Sequence, residues 1–344
     1  MSDLQLGLVA VGCLVVLGVI AYNAWNARRV QPRQPQPPPA EKDAAAPMAE
    51  TERIDPAGFE APPPPHASVP VRGPLDPLID VIAHVSVFCT VAGGAAIAHM
   101  PASRRAGSKP FAVEGRNEAT LRWETPVVGQ RYDAFQCGAQ LANRSGALNE
   151  IEYSEFVTKT QAFAEALDGD ADLPDMLEAV ARARELDQFA SSRDAQLSFT
   201  LRARGTAWSP GYVQQSAARV GFVAGVIPGR MVLPAGIDGV PPILSLAYDT
   251  QAAMSENPSQ SALREFSLSL DVAQVPRSVQ PFVRLRESAI ALAASMDGLI
   301  TDDNAVVLLP DALDLIGSEL EQLYDALDEH SLSAGSLLAR RLFS

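Results

Sequence analysis

From Ser278 to Leu327 the apolar residues change spacing twice, which no single element can accommodate. Over Pro281–Met296, Phe282, Leu285, Ala289, Leu292 and Met296 recur at steps of three and four, the spacing of an amphipathic helix. Asp297-Gly298 then ends it, with Gly298 expected to supply the left-handed closing residue. Leu299–Thr301 and Ala305–Leu308 are short apolar runs about Asp302-Asp303-Asn304, the chemistry of a turn between two strands. Pro310 opens a second helix whose seam, Leu313, Ile316, Leu320, Leu323 and Leu327, has to be buried. Helix, hairpin and helix in this order require an α+β arrangement, with the helices covering a sheet.

A weaker version of the pattern lies upstream. Tyr153, Phe156, Phe163, Ala164, Leu167, Asp168 and Gly169 align without a gap on Phe282, Leu285, Leu292, Ala293, Met296, Asp297 and Gly298. Leu173-Pro174-Asp175-Met176-Leu177 then matches Leu309-Pro310-Asp311-Ala312-Leu313. The upstream version lacks the hairpin, having only Asp170-Ala171-Asp172 in its place, and Arg184 stands where Leu320 sits in the later seam. Repeated order of signals points to an internal duplication, against chance similarity between two amphipathic helices.

Leu4–Tyr22 is apolar apart from Gln5 and has the length of a membrane-spanning helix, with Trp25 as interfacial anchor. Only Ser2 and Asp3 precede it, so the basic leader of a cleaved signal peptide is missing; the same absence weakens a lipoprotein reading of Ala10-Val11-Gly12-Cys13. Arg28, Arg29 and Arg33 place the following chain on the cytoplasmic side, with a periplasmic N-terminus. Residues 1–27 are thus expected to be an anchor that meets the membrane through residues 4–25. Residues 28–74 hold nearly half of the 27 prolines and few large apolar side chains, the composition of a disordered, partly stiffened linker. A net charge of −14 with scattered basic residues argues against nucleic acid as a partner. Three cysteines without a CxxC spacing fit a reducing compartment.

Beyond the linker, Ile82–Thr90 alternates with β-branched residues as a strand does, and Phe135–Leu141 is a weaker candidate. Arg104–Lys109 holds Gly107-Ser108-Lys109, which lacks the glycine pattern of a phosphate-binding loop. In Ala195–Ala203, Leu197, Phe199 and Leu201 share one face, and Ser198, Thr200 and Arg202 lie on the other. Ser209, Pro210 and Gly221 are the cap, first residue and stop of a helix. Phe222–Val226, Gly229–Leu233, Ile243–Tyr248 and Phe266–Val272 read as further strands.

In order, Gly221-Phe222, Leu244-Ser245-Leu246-Ala247, Asp271-Val272, Asp297-Gly298-Leu299-Ile300-Thr301-Asp302-Asp303 and Pro310 resemble the ZipA family of membrane-anchored division proteins over about Asp194–Leu327. The resemblance implies a split β-α-β fold, an antiparallel sheet with helices on one face, duplicated if the upstream copy is real. It also implies that the open face receives the C-terminal tail of FtsZ through apolar contacts. The open face here would show Ser198, Thr200, Arg202, Arg230, Val232, Ser245, Ala247, Ser267 and Ser269. That is more polar than an apolar groove should be, so either the strand faces are exchanged or the tail is gripped differently.

The expected layout is therefore a degenerate first copy at 75–192, an FtsZ-binding domain at 193–330 and a tail at 331–344. His66, His84, His99 and His330 lack ligand spacing, Asp302-Asp303 reads as a turn, and Cys89 reads as a buried hydrophobe. No nucleophile and base stand out as a pair, and no cofactor or metal is expected. The amphipathic Ser336–Phe343 is expected either to dock on the first copy or on a partner, or to fray. The functional expectation is a non-enzymatic protein that ties the FtsZ ring to the bacterial inner membrane, with other division proteins as further possible partners. The alternative is a tethered scaffold that binds another envelope or division protein through residues 75–192.

Overall fold

The computed structural model describes residues 32–35, 74–237, 239–255 and 261–344. The expected span, and the linker apart from residues 32–35 and 74, lie outside the described residues. Among the described residues no helix is long and apolar enough to cross a membrane. The chain divides into two compact units. Of the described residues, one unit holds 32–35 and those within 197–270 and 281–315; the other holds 74–196, 271–280 and 316–344.

The unit containing residues 74–196 is built on an open sheet. Its main strands are β1 (Asp80–Ala92), β2 (Lys109–Asn117), β3 (Arg131–Gln140) and β4 (Gly169–Asp172), in the order β2-β3-β1-β4, and these neighbours pair antiparallel. Helices α1 (Glu150–Ala166) and α2 (Met176–Ser191) cover one face. Val81, Ala83 and Val85 of β1, Phe111 and Val113 of β2 and Phe135 and Cys137 of β3 form one core with Phe156 and Phe163 of α1 and Ala179 and Ala183 of α2. Asn149 and Glu152 close α1 in a reciprocal capping box, and the Asp175 side chain accepts from the Glu178 amide to start α2. α2 thus begins after Leu173-Pro174, later than the pattern suggested. β2 was not anticipated: it is buried nearly throughout, so Lys109-Pro110-Phe111-Ala112-Val113-Glu114 shows no alternation to read.

The other unit contains β5 (Gln196–Ala203), α3 (Pro210–Arg219), β6 (Val223–Ala224), β7 (Arg230–Leu233), β8 (Leu244–Ala247), β9 (Glu265–Asp271), α4 (Pro281–Met296) and β10 (Gly298–Thr301). Its sheet runs β6-β7-β8-β9-β5-β10. Ser209 caps α3 by accepting from the Tyr212 amide at 3.2 Å, Pro210 is its first residue, and Gly221 follows with φ +93°. On α4, Leu285, Ala289, Leu292 and Met296 are buried, and the half-buried Phe282 meets Phe199 edge-on. The last long helix, α5 (Pro310–Glu329), buries Leu313, Leu320 and Leu327 as its seam requires, and the division between units falls within it after Leu315.

One local expectation is corrected. The residue in the left-handed conformation is Asp297 (φ +56°), and upstream Asp168 (φ +50°), while Gly298 and Gly169 open strands β10 and β4. Glycine at the second position serves close approach: a Cβ on Gly169 would lie 2.4 Å from the Ser86 carbonyl oxygen. The hairpin after β10 forms but is short: Thr301 bridges Val307 antiparallel, the Asp302 amide donates to the Val306 carbonyl at 2.9 Å, and the Leu308 amide donates to the Ile300 carbonyl at 3.0 Å.

Candidate functional site

The uncovered face of the second sheet follows directly from strand alternation. Phe199, Leu201, Met231, Leu244, Leu246, Phe266, Leu268 and Leu270 are buried, and their neighbours in sequence point the other way. Ser198, Thr200, Arg202, Val232, Ser245, Ala247, Ser267 and Ser269 are half-buried there, and Arg230 is exposed, so the faces are not exchanged. Pairing aligns these residues in rows across the strands. Val232, Ser245 and Ser269 form one row; Arg230, Ala247 and Ser267 form the next.

The face is less polar in contact than in composition. The Ser267 hydroxyl donates to the Ala247 carbonyl at 3.3 Å, and the Ser269 hydroxyl to the Ser245 carbonyl at 3.5 Å. The Thr301 hydroxyl donates to the Thr200 carbonyl at 3.2 Å. Hydroxyls already bonded to the neighbouring strand lose little when water is displaced, and their carbon atoms are left to meet an apolar side chain. Arg202 is drawn into an ion pair with Glu265 at 3.0 Å, partly exposed and so worth little by itself.

Sequence reasoning named Val232 and Ala247 but missed three further apolar members of this face. Register places the exposed Val223 opposite Val232, the half-buried Leu299 opposite Arg202, and the exposed Val307 opposite Thr301. Val223 was within reach of the alternation of Phe222–Val226. Leu299 and Val307 were not, because their face depends on which strand β10 joins. A face of this kind can hold an extended or helical peptide by apolar side chains and exposed backbone edges.

Other candidates resolve as local structure. The Gly107–Ser108 turn is filled by the protein's own carboxylates: Glu152 accepts from the Ser108 amide at 2.8 Å and hydroxyl at 2.7 Å, and Glu155 from the Gly107 amide at 2.7 Å. Lys109 is buried and donates to Asn143 Oδ1 at 2.8 Å and to the Gly146 carbonyl at 2.5 Å. Burial holds its ammonium below the ordinary lysine range, against the pull of Glu152. No phosphate can be cradled by amides already occupied. Among the described residues no three His, Cys, Asp or Glu come together as metal ligands. His84 is exposed opposite Gln136 and Asp172, His99 caps the short helix Gly93–Ala98, and His330 stacks on Phe189 at 4.2 Å. His66 lies outside the described residues. Asp302 Oδ1 accepts from the Asn304 and Val306 amides at 2.9 and 2.7 Å, the work of a turn.

Cys89 corrects another expectation. It is exposed, because β1 loses register with β3 between Ser86 and Val91 and its side chains there leave the core. The buried thiol is Cys137, which burial pushes up to about 12. A cavity lined by Met100, Pro101, Arg104, Phe111, Glu114 and Thr125 holds only ≈ 30 Å³, far below the roughly 300–1,000 Å³ of a small-molecule site.

The C-terminal segment docks rather than frays. Helix α6 (Leu337–Leu342) buries Ala339 and Leu342, followed by buried Phe343. Gln140 donates to the Arg341 carbonyl at 2.7 Å, and Arg341 pairs with the buried Asp80 at 2.5 Å.

No protein-family model matches this chain, and no curated protein matches it.

Proposed function

We propose that this protein is a non-enzymatic, membrane-tethered division protein of ZipA type, in which residues 193–330 bind the C-terminal tail of FtsZ on the open face of the second sheet. The observation that carries the reading is that face: Val223, Val232 and Ala247 near one edge and Leu299 and Val307 at the other flank a middle of hydroxyls bonded to neighbouring strands. Residues 4–25 would fix the chain in the inner membrane, and the linker would set its reach. Many weak tail contacts along a polymer would add through effective concentration.

The reading includes a duplicated fold. Support comes from strand order: β2-β3-β1-β4 in one sheet corresponds to β8-β9-β5-β10 in the other, each ending in a short strand that follows a long helix and a left-handed aspartate. A scaffold role for residues 75–192 is the second reading, favoured by Phe88, 82% exposed, together with exposed Leu121, Val127 and Val128.

Titration of an FtsZ tail peptide onto the full chain in detergent micelles, read by fluorescence anisotropy, separates these. Binding that is lost in Val232→Asp supports the first reading. No binding at high micromolar peptide, or binding indifferent to Val232→Asp, removes it.

A further inference from the structure

We propose that the edge formed by Ala207, Trp208, Ser209 and Gly211, with the C-terminal end of α4, is a binding site for an extended Pro-Arg-x-Pro peptide. The chain's own Pro32-Arg33-Gln34-Pro35 occupies it in cis. The site is separate from the open sheet face and does not depend on what that face binds.

Trp208 is a one-residue strand. On one side it exchanges both backbone hydrogen bonds with Leu263, each at 2.8 Å. On its other side the Arg33 amide donates to the Ala207 carbonyl at 2.7 Å, and the Ser209 amide donates to the Arg33 carbonyl at 3.0 Å, in a parallel bridge. The peptide is thus added to an edge by main-chain bonds. Pro32 is buried in this position, and Pro35 lies over Gly211, where a Cβ would come within 3.2 Å of its ring.

The arginine is selected by a helix end. Carbonyls at the C-terminus of a helix lack partners inside it and carry partial negative charge, and α4 has no basic residue of its own in its last turn. Tyr212 donates to the Ser295 carbonyl at 3.3 Å, the Trp208 indole to that of Met296 at 2.9 Å, and the Arg204 amide to that of Asp297 at 3.1 Å. Arg33 adds Nη1 to the Met296 carbonyl at 3.0 Å and Nη2 to the Asp297 carboxylate at 3.2 Å. Asp297, an acid at the negative end of a helix, has in Arg33 the cation that its position calls for.

Residue-resolved hydrogen exchange on the full chain in micelles tests this. The Ser209 amide bonds to Arg33, whereas the Trp208 and Leu263 amides bond to each other's carbonyls, so they serve as internal controls. Arg33→Glu is expected to speed Ser209 exchange about tenfold while Trp208 and Leu263 stay slow. A synthetic peptide of residues 30–37 at millimolar concentration should restore protection in this variant, and the same peptide with Ala for Arg should not. Gly211→Gln, at the second position of α3 where it favours the helix, should loosen Ser209 in the same way by crowding Pro35. Unchanged Ser209 exchange in both variants overturns the proposal. So does protection of the wild type that disappears on dilution, which would place the segment in trans from a second copy.

Discussion

Removing Arg341 would leave a carboxylate stranded in the interior. The Asp80 side chain is fully buried, and Arg341 Nη2 sits 2.5 Å from its Oδ1; its other oxygen accepts from the Asp76 amide at 2.8 Å. Burial pushes the Asp80 carboxyl above its ordinary range even with Arg341 pulling it down. In Arg341→Ala only the Asp76 bond remains, and breaking one side of a buried pair costs about 3–5 kcal/mol. For a unit of this size each kcal/mol moves the midpoint by about 2–4 °C, so a fall on the order of 10 °C is expected. The pH dependence has a definite sign. A carboxyl whose value is raised in the folded state gains a proton on folding, so its contribution is most favourable below that value and declines as pH rises through it. Without Arg341 the value rises further. The deficit of Arg341→Ala is therefore largest at neutral pH and smaller at acid pH, where Asp80 becomes neutral. Urea denaturation at both pH values, followed by circular dichroism, measures it. The double variant Asp80→Asn with Arg341→Met, which removes both charges, should lie within about 1.5 kcal/mol of the parent. A deficit below about 1 kcal/mol at neutral pH, or one equal at both pH values, refutes the reasoning.

Three further outcomes are expected. Gly169→Ala should cost about 1–3 kcal/mol by urea denaturation, because its Cβ would meet the Ser86 carbonyl at 2.4 Å, whereas Gly298→Ala, whose nearest contact is at 3.4 Å, should be nearly neutral. Asp168→Gly should stabilise by about 0.5–1 kcal/mol, since a non-glycine residue there holds φ at +50°; a loss of stability would show that its side chain does more than turn the chain. Iodoacetamide at about pH 8, with sites mapped by mass spectrometry, should modify Cys89 and leave Cys137 untouched until the protein unfolds.

Much of the secondary structure was legible because it rests on local chemistry. The range Pro281–Met296, the Ser209-Pro210 start and Gly221 stop of α3, and the alternating faces of β5, β8 and β9 follow from spacing, capping and parity alone. The polar members of the open face were named from the same parity. What local chemistry could not supply was pairing. β2 carries no alternation because both its faces are covered, and Cys89 is exposed only because a bulge in β1 releases it. Leu299 and Val307 join the open face only through the partner that β10 takes.

The Asp-Gly steps at 168–169 and 297–298 mark the boundary between the two kinds of information. The sequence alone determined that helices end there, since an acid and a glycine together cannot continue an apolar stripe. Which residue turns left-handed was a tertiary decision: at 168–169 glycine is needed where the strand crosses close to the Ser86 carbonyl, so the strain falls on Asp168. Arg33 is a second case. In the sequence it is one more positive charge in a proline-rich stretch, and only the helix end that meets it gives that charge a partner.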